Sequence, residues 1–472
     1  MSARAGGPTP LQRIYHQPLG HAAARPNTPV LPFAARTAVA TFIDPSVRIT
    51  NGEHVIVGGK TYIAPFATLN ATTGFIKIGS NSVIEDNATV VSNPNHARPT
   101  TSVLIGDNTV IGFGAVVRGP STIGAYGDAR RNTASRPTGI GANALIDGAI
   151  IQQGAIVGAL ARVGPGVTVP TGFFVLQGAN VTTNAEASNP ALGKVRPVTA
   201  ADTSEITSAL GTGAQLAAGY TTLYQGNSAT GNVPAPAAPA TILGPSVQPT
   251  GVFNGNLAAV EGASSELGSA TTGTSVTFEP PPPPITGAVA SPFPANAQAP
   301  KFLSSDGRLL QANLFNFPAR VIGQAVFQAR AHQVAHQLGR SNSIRADQGQ
   351  PITFASAPTT GPGVTITSPL LGVTATTPTP PTPPIGSLPI GENLRVGSGA
   401  VILGGSTTPA PSSVIGNSVT IGSGAVINNS KLGNGSTIGA RAFISQSTIP
   451  DGVTIPPGAI FINNRLTGFV QW

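Results

Sequence analysis

Cysteine is absent from the 472-residue chain, which excludes disulfides and thiolate metal sites. Charge is sparse as well: Asp, Glu, Lys and Arg make up 9% of the residues and aromatics 5%, with a single Trp. So few large side chains cannot fill a conventional core throughout. The 25 basic and 17 acidic residues leave a net charge of +8. It is spread as single arginines without a basic run, so the sequence carries no nucleic-acid footprint. No apolar run reaches the roughly 20 residues of a membrane helix. The first 43 residues hold four arginines and no acid but lack the hydrophobic centre of a secretory signal. The expectation is a cytoplasmic protein with neither a nucleic-acid nor a membrane partner, preceded by a disordered basic tail over residues 1–42.

What is abundant is Gly, with 58 residues, and Pro, with 45. The glycines fall into a pattern. From Ile105 the chain reads IGDNTV IGFGAV VRGPST IG, with Ile105, Ile111, Val117 and Ile123 six apart. The same spacing links Val57, Ile63 and Leu69, then Ile78, Ile84 and Val90, and later Ile151, Val157, Val163, Val169 and Val175. A helix needs apolar residues three and four apart and an exposed strand needs alternation. A period of six fits neither. It fits a short strand plus a corner, repeated so that one aliphatic side chain points inward on each of three faces. The fold expected is all-β, a left-handed parallel β-helix of hexapeptide repeats, with Gly and Asn at corners that need positive φ.

A second array occupies residues 390–472, through Val396 and Ile402, Ile415, Ile421 and Ile427, Leu432, Ile438 and Ile444, and Ile449, Ile455 and Phe461. Five-residue steps interrupt the period between Ile146 and Ile151, between Ile427 and Leu432 and between Ile444 and Ile449, and they read as altered corners. The first array spans 43–185 and a helical tail follows over 186–232, with a helix after Pro197. Residues 233–389, with the run Pro280–Pro284 and the segment TTPTPPTPP, read as a Pro/Thr/Gly-rich linker, disordered or extended. This insert is a candidate contact for a protein partner. Within it, Ala319–Arg340 reads as a helix whose apolar face holds Phe327, Ala331, Val334 and Leu338. His332 and His336 share a face of that helix, but the stretch HQVAH lacks the glutamate of a zinc-protease helix.

The first array resembles the γ-class carbonic anhydrases and their relatives among hexapeptide-repeat proteins. Family members run I-W-P-N-A-V-L-R-G-D-x-G-x-I-x-I-G-x-N-x-x-I-Q-D, and this chain reads IAPFATLNATTGFIKIGSNSVIED from Ile63 to Asp86 without a gap. The family tail is similar to NPALGKVRPVTAADTSEITSAL here. The resemblance implies a homotrimer with three histidines holding zinc between neighbouring subunits, where the metal supplies hydroxide. Two of those histidines stand in a G-H-x-x-x-x-H-G turn. Here the turn is GFGAVVRG, which puts Phe113 and Arg118 at ligand positions. The third ligand position falls on Val91. The supporting Arg, Asp and Gln fall on Asn70, Thr72 and Glu85. All six positions depart from the pattern, so no metal and no cofactor is expected; His54 and His96 are the weak substitutes.

Three function classes follow. The first is a non-catalytic β-helical scaffold that keeps the turn for its glycines and aliphatic residues. The second is an acyltransferase drawing on coenzyme A or an acyl carrier, whose chemistry needs a histidine base; the loop AYGDARRNTASRP offers Arg130, Arg131 and Arg136 to a phosphate. The third is a zinc-dependent carbonic anhydrase with a rebuilt site. A surface structural protein, suggested by the Thr/Pro-rich segments, ranks behind them.

Overall fold

A computed structural model describes residues 41–44, 46–51, 54–92, 102–125, 136–225, 319–323, 325–327, 337–346, 352–367, 388–404 and 413–472. The inward aliphatic residues of the six-residue pattern stack into columns. On one face Ile63, Ile84, Ile111, Ile140, Val157 and Val175 follow one another in parallel register, all at 0–1% exposure. Leu69, Val90, Val117, Ile146, Val163 and Val181 form a second column. Ile78, Ile105, Ile123, Ile151 and Val169 form a third. Three sheets of 8, 7 and 6 strands result, the walls of a left-handed triangular prism. Each buried Ile, Leu or Val contributes roughly 1.5–3 kcal/mol. Because the residues are small and identical in role, the core grows one coil at a time.

The corners obey a simple rule. In most six-residue steps the third residue after the inward one is left-handed: Phe66 (φ 59°) after Ile63, Asn87 (φ 58°) after Ile84, Asn143 (φ 53°) after Ile140, Gly424 (φ 67°) after Ile421; Pro120 after Val117 and Ala357 after Phe354 are exceptions. In the five-residue steps it is the second: Gly148 (φ 63°), Asn429 (φ 44°) and Gln446 (φ 48°). The shortened steps are therefore altered corners that drop one residue ahead of the bend. The Gly that often follows the inward residue has a different cause. A Cβ on Gly79 would lie 2.4 Å from the backbone nitrogen of Asp107 in the next coil, so only hydrogen fits.

The last coil of the first prism is closed by the helix Asn184–Ser188, a 3₁₀ turn at Pro190–Leu192 and the antiparallel strand Val195–Pro197 paired with Phe173–Val175. The helix Ala200–Gln225 then runs back along the first sheet. Ile206, Leu210, Leu216 and Ala217 cover the outward side chains of Phe42, Tyr62, Val83 and Val110.

The second prism corrects the expected boundaries. It does not begin at 390. Strands Arg320–Gly323 and Ala325–Phe327 pair in parallel with Ser343–Ala346 and Ile352–Phe354, so this prism has sheets of 8, 6 and 5 strands. The helix expected over Ala319–Arg340 gives way to strands across 320–327; residues 328–336, with His332 and His336, lie outside the described residues. Of the helical face expected from Phe327, Ala331, Val334 and Leu338, Phe327 falls in the strand Ala325–Phe327 and Leu338 packs against the core of the second prism, while Ala331 and Val334 lie outside the described residues. The linker assigned to 233–389 is likewise cut short. Within it Phe354, Thr360 and Ile366 stand six apart as inward residues that stack on Ile390, Val396 and Ile402. Threonine in an inward position and the flanking prolines hid that repeat. The tail 1–40 and the proline runs lie outside the described residues.

The two arrays do not share one prism. They stand side by side in the same direction. Going up the first prism, Asp86, Asn87 and Asn143 meet, in turn, Ser343, Thr365 and Gly399 of the second.

Candidate functional site

The six positions taken from the zinc-site resemblance separate into two places. Asn70, Val91 and Arg118 lie side by side on an outward face, each the third residue of its strand, and Asp147 continues the row. Arg118 is exposed and Val91 half-buried. The Asn70 carboxamide oxygen accepts from the backbone N–H of Thr72 at 3.0 Å and from its hydroxyl, an arrangement that shapes a turn. Glu85 and Phe113 lie elsewhere, at the junction with the second prism.

The residues do not fit a zinc ion. Val91 and Phe113 have no donor atom, and Arg118 would bring a cation against Zn²⁺. Among the described residues no three His, Cys, Asp or Glu side chains come together. His54 stands apart, its ring 4.9 Å from that of Phe75 and its Nδ1 buried without a hydrogen-bond partner among the described residues. His96, Arg130 and Arg131 lie outside the described residues. Arg136 is described and exposed. No helix among the described residues is long and apolar enough to cross a membrane.

What the structure assembles is the junction itself, which the sequence pattern did not reveal. Its lower part is polar and buried. Arg345, 1% exposed, places its Nη1 2.6 Å from the Asp86 carboxylate and 3.6 Å from that of Glu85. Its guanidinium carbon lies 5.4 Å from the centre of the Tyr62 ring, and Tyr62 stacks on Phe42. The Ser343 hydroxyl donates to the other Asp86 oxygen. A charge this deeply buried is tolerable only when paired, and each partner sits on a different prism.

Above it the junction is apolar. Ala142, Leu160 and the half-buried Phe113 and Ala159 pack on Val401, Val426, Phe443 and Ile460, outward residues that register along one sheet of the second prism. Asn143 Nδ2 donates to the carbonyl oxygens of Gly399 (2.9 Å) and Gly424 (3.2 Å). The final residues complete the contact. Trp472 Nε1 donates to the Leu160 carbonyl at 2.6 Å, the Arg441 guanidinium stacks 4.2 Å above the Trp472 ring, and Gln471 bonds Gly178 and Asn180. Gly178 is required there, since a Cβ would fall 2.8 Å from Ile460 Cδ1.

No family model matches the chain, and no curated protein matches it either. Among solved structures it is similar to a hexapeptide transferase family protein from Anaplasma phagocytophilum, with 19% identity over 38% of this chain and 91% of that one, TM-score 0.20. A second similar structure, from Bacillus cereus and named for acetyltransferase activity, has 18% identity over 38% of this chain and 98% of that one, TM-score 0.18.

Proposed function

We propose that the chain is a non-catalytic β-helical scaffold. One observation carries this reading. Phe113, where the γ-carbonic-anhydrase resemblance asks for a zinc ligand on a neighbouring subunit's boundary, packs in an apolar cluster against a second prism of the same chain. The corner that carries the Phe113 ligand position is spent on joining two prisms, with the buried Asp86–Arg345 pair in the same junction, while Val91 and Arg118 stay apart from it on an outward face. Such a unit offers long, flat, rigid faces at a fixed distance, the property an assembly component needs. Elemental analysis of untagged protein purified without chelators should find substoichiometric zinc, and EDTA should leave the melting temperature unchanged. About one zinc per chain would sink the scaffold reading.

A second reading, an acyltransferase, is favoured by His54. Its Nδ1, beside Phe75, has no hydrogen-bond partner among the described residues, as a histidine base for an acceptor hydroxyl or amine requires. Calorimetry with coenzyme A separates the readings: saturable binding that His54→Ala leaves intact, together with turnover that it abolishes, would establish the enzyme.

A further inference from the structure

The junction is heterologous: a corner of one prism packs on a face of the other, and the two surfaces differ. The corner line is built from the second residue after each inward one. In the first prism these are Asp86, Phe113, Ala142 and Ala159, which pack against the second prism. The same repeat position in the second prism holds Ser398, Ser423, Ala440 and Pro457, all exposed. The faces show the reverse. On the second prism the outward column Ser343, Thr365, Val401, Val426 is buried under the first. On the first prism the outward column of the face that follows its own corner reads Thr68, Thr89, Val116, Leu145, half-exposed throughout. Over these four coils both columns run from hydroxyl to aliphatic residues; above them the first-prism column turns polar at Arg162 and Asn180 and the second stays apolar at Phe443 and Ile460. Each chain thus carries one used corner and one used face, and one free corner and one free face of the same kind. The free face adjoins the junction along the line of Asn87, Gly114 and Asn143, so it continues an interface already formed.

We propose that the free face of the first prism, centred on Val116 and Leu145, receives the free corner of the second prism of another copy of this chain. With a two-fold axis parallel to the prisms, two chains form a ring of four prisms through two identical contacts. The height of the contact is set by the chain itself. Asn143, next to Ala142, bonds the carbonyls of Gly399, next to Ser398, and Gly424, next to Ser423, so Ala142 stands at the level of these two coils, nearer that of Ser398. A closing rotation brings Ser398 of one copy to Leu145 of the other. The small corner residues allow close approach to the aliphatic face. This inference rests on the junction and holds whether or not the scaffold reading does.

The absence of cysteine makes the test clean. Light scattering on the purified full chain should give twice the chain mass. Mixing Leu145→Cys with Ser398→Cys protein under mild oxidant should give a disulfide-linked pair, and neither variant alone should do so. Leu145→Glu should shift the wild-type dimer to monomer; if that variant folds poorly, the exposed Ser398→Arg should do the same from the other side. A monomeric wild-type chain, a trimer, or a dimer without the Leu145–Ser398 cross-link would each overturn the proposal.

Discussion

Asn143 does two jobs with one side chain. Its backbone takes the left-handed corner at φ 53°, and its carboxamide ties that corner to two carbonyls of the other prism. Asn tolerates this conformation better than most residues, whereas a Cβ-bearing apolar residue there costs about 1–2 kcal/mol. Each hydrogen bond adds roughly 0.5–1.5 kcal/mol net. Asn143→Ala should therefore lower stability by about 2–5 kcal/mol, and Asn143→Gly by about 1–3 kcal/mol, since Gly keeps the bend and loses only the bonds. Urea midpoints at unchanged slope measure both. Equal losses for Ala and Gly would show that the corner conformation carries no cost. Lys60, Phe66, Leu160, Ser341, Ser418, Arg441 and Gln446 are left-handed without being Gly or Asn. Two of these seven, Leu160 and Arg441, lie at the junction, where the contacts hold them in place.

At the scale of an element, the segment that closes the first prism is pinned by charge. Thr183 caps the helix Asn184–Ser188 in a capping box with Glu186. Lys194 Nζ lies 2.6 Å from the Glu186 carboxylate, and this bond, with the Thr182 N–H, holds the Glu186 pKa at about 2. At the start of the helix Ala200–Gln225, Asp202 is gripped by Arg196 in a two-bonded pair and by the Thr199 N–H, and its pKa is also held at about 2. Both carboxylates are depressed by folding from ordinary values near 4. Their contribution is therefore present above that ordinary value and is lost as the pH falls from about 4 toward about 2. Amide exchange of residues 184–210 should accelerate across that window while the aliphatic columns stay protected. Arg196→Met should move the acceleration to higher pH; an unchanged profile in that variant would remove Asp202 from the account.

For the whole molecule, the question is what keeps two solenoids in one register. The buried Arg345–Asp86 pair is a poor source of net stability, because desolvation offsets most of its attraction. Its value is in matching: a slip by one coil would bury both charges alone. Arg345→Met should destabilise by about 3–5 kcal/mol by stranding Asp86. Adding Asp86→Asn should recover a large part of that loss, so the double-mutant cycle should show strong coupling. Additive effects would mean that the pair does not set the register.

The sequence by itself determined the prisms. A period of six in aliphatic residues, with Gly or Asn three places on, leaves one way to bury a narrow core, and Ile63, Ile111 and Ile421 sit where that pattern puts them. It also showed that Val91, Phe113 and Arg118 cannot hold a metal, because ligand chemistry belongs to residue type. It misled where residue type and position part company. Thr360 is an inward residue that looks like linker, and Arg320–Gly323 and Ala325–Phe327 are strands inside a segment expected to be helical, because neighbours on other coils and not local propensity decide those states. The junction was wholly a matter of tertiary structure. Asp86 and Arg345 are 259 positions apart, and nothing in the spacing of either array says which corner meets which face. That depends on outward residues such as Phe113, Leu160, Val426 and Phe443, whose pairing no repeat constrains until the two prisms are built.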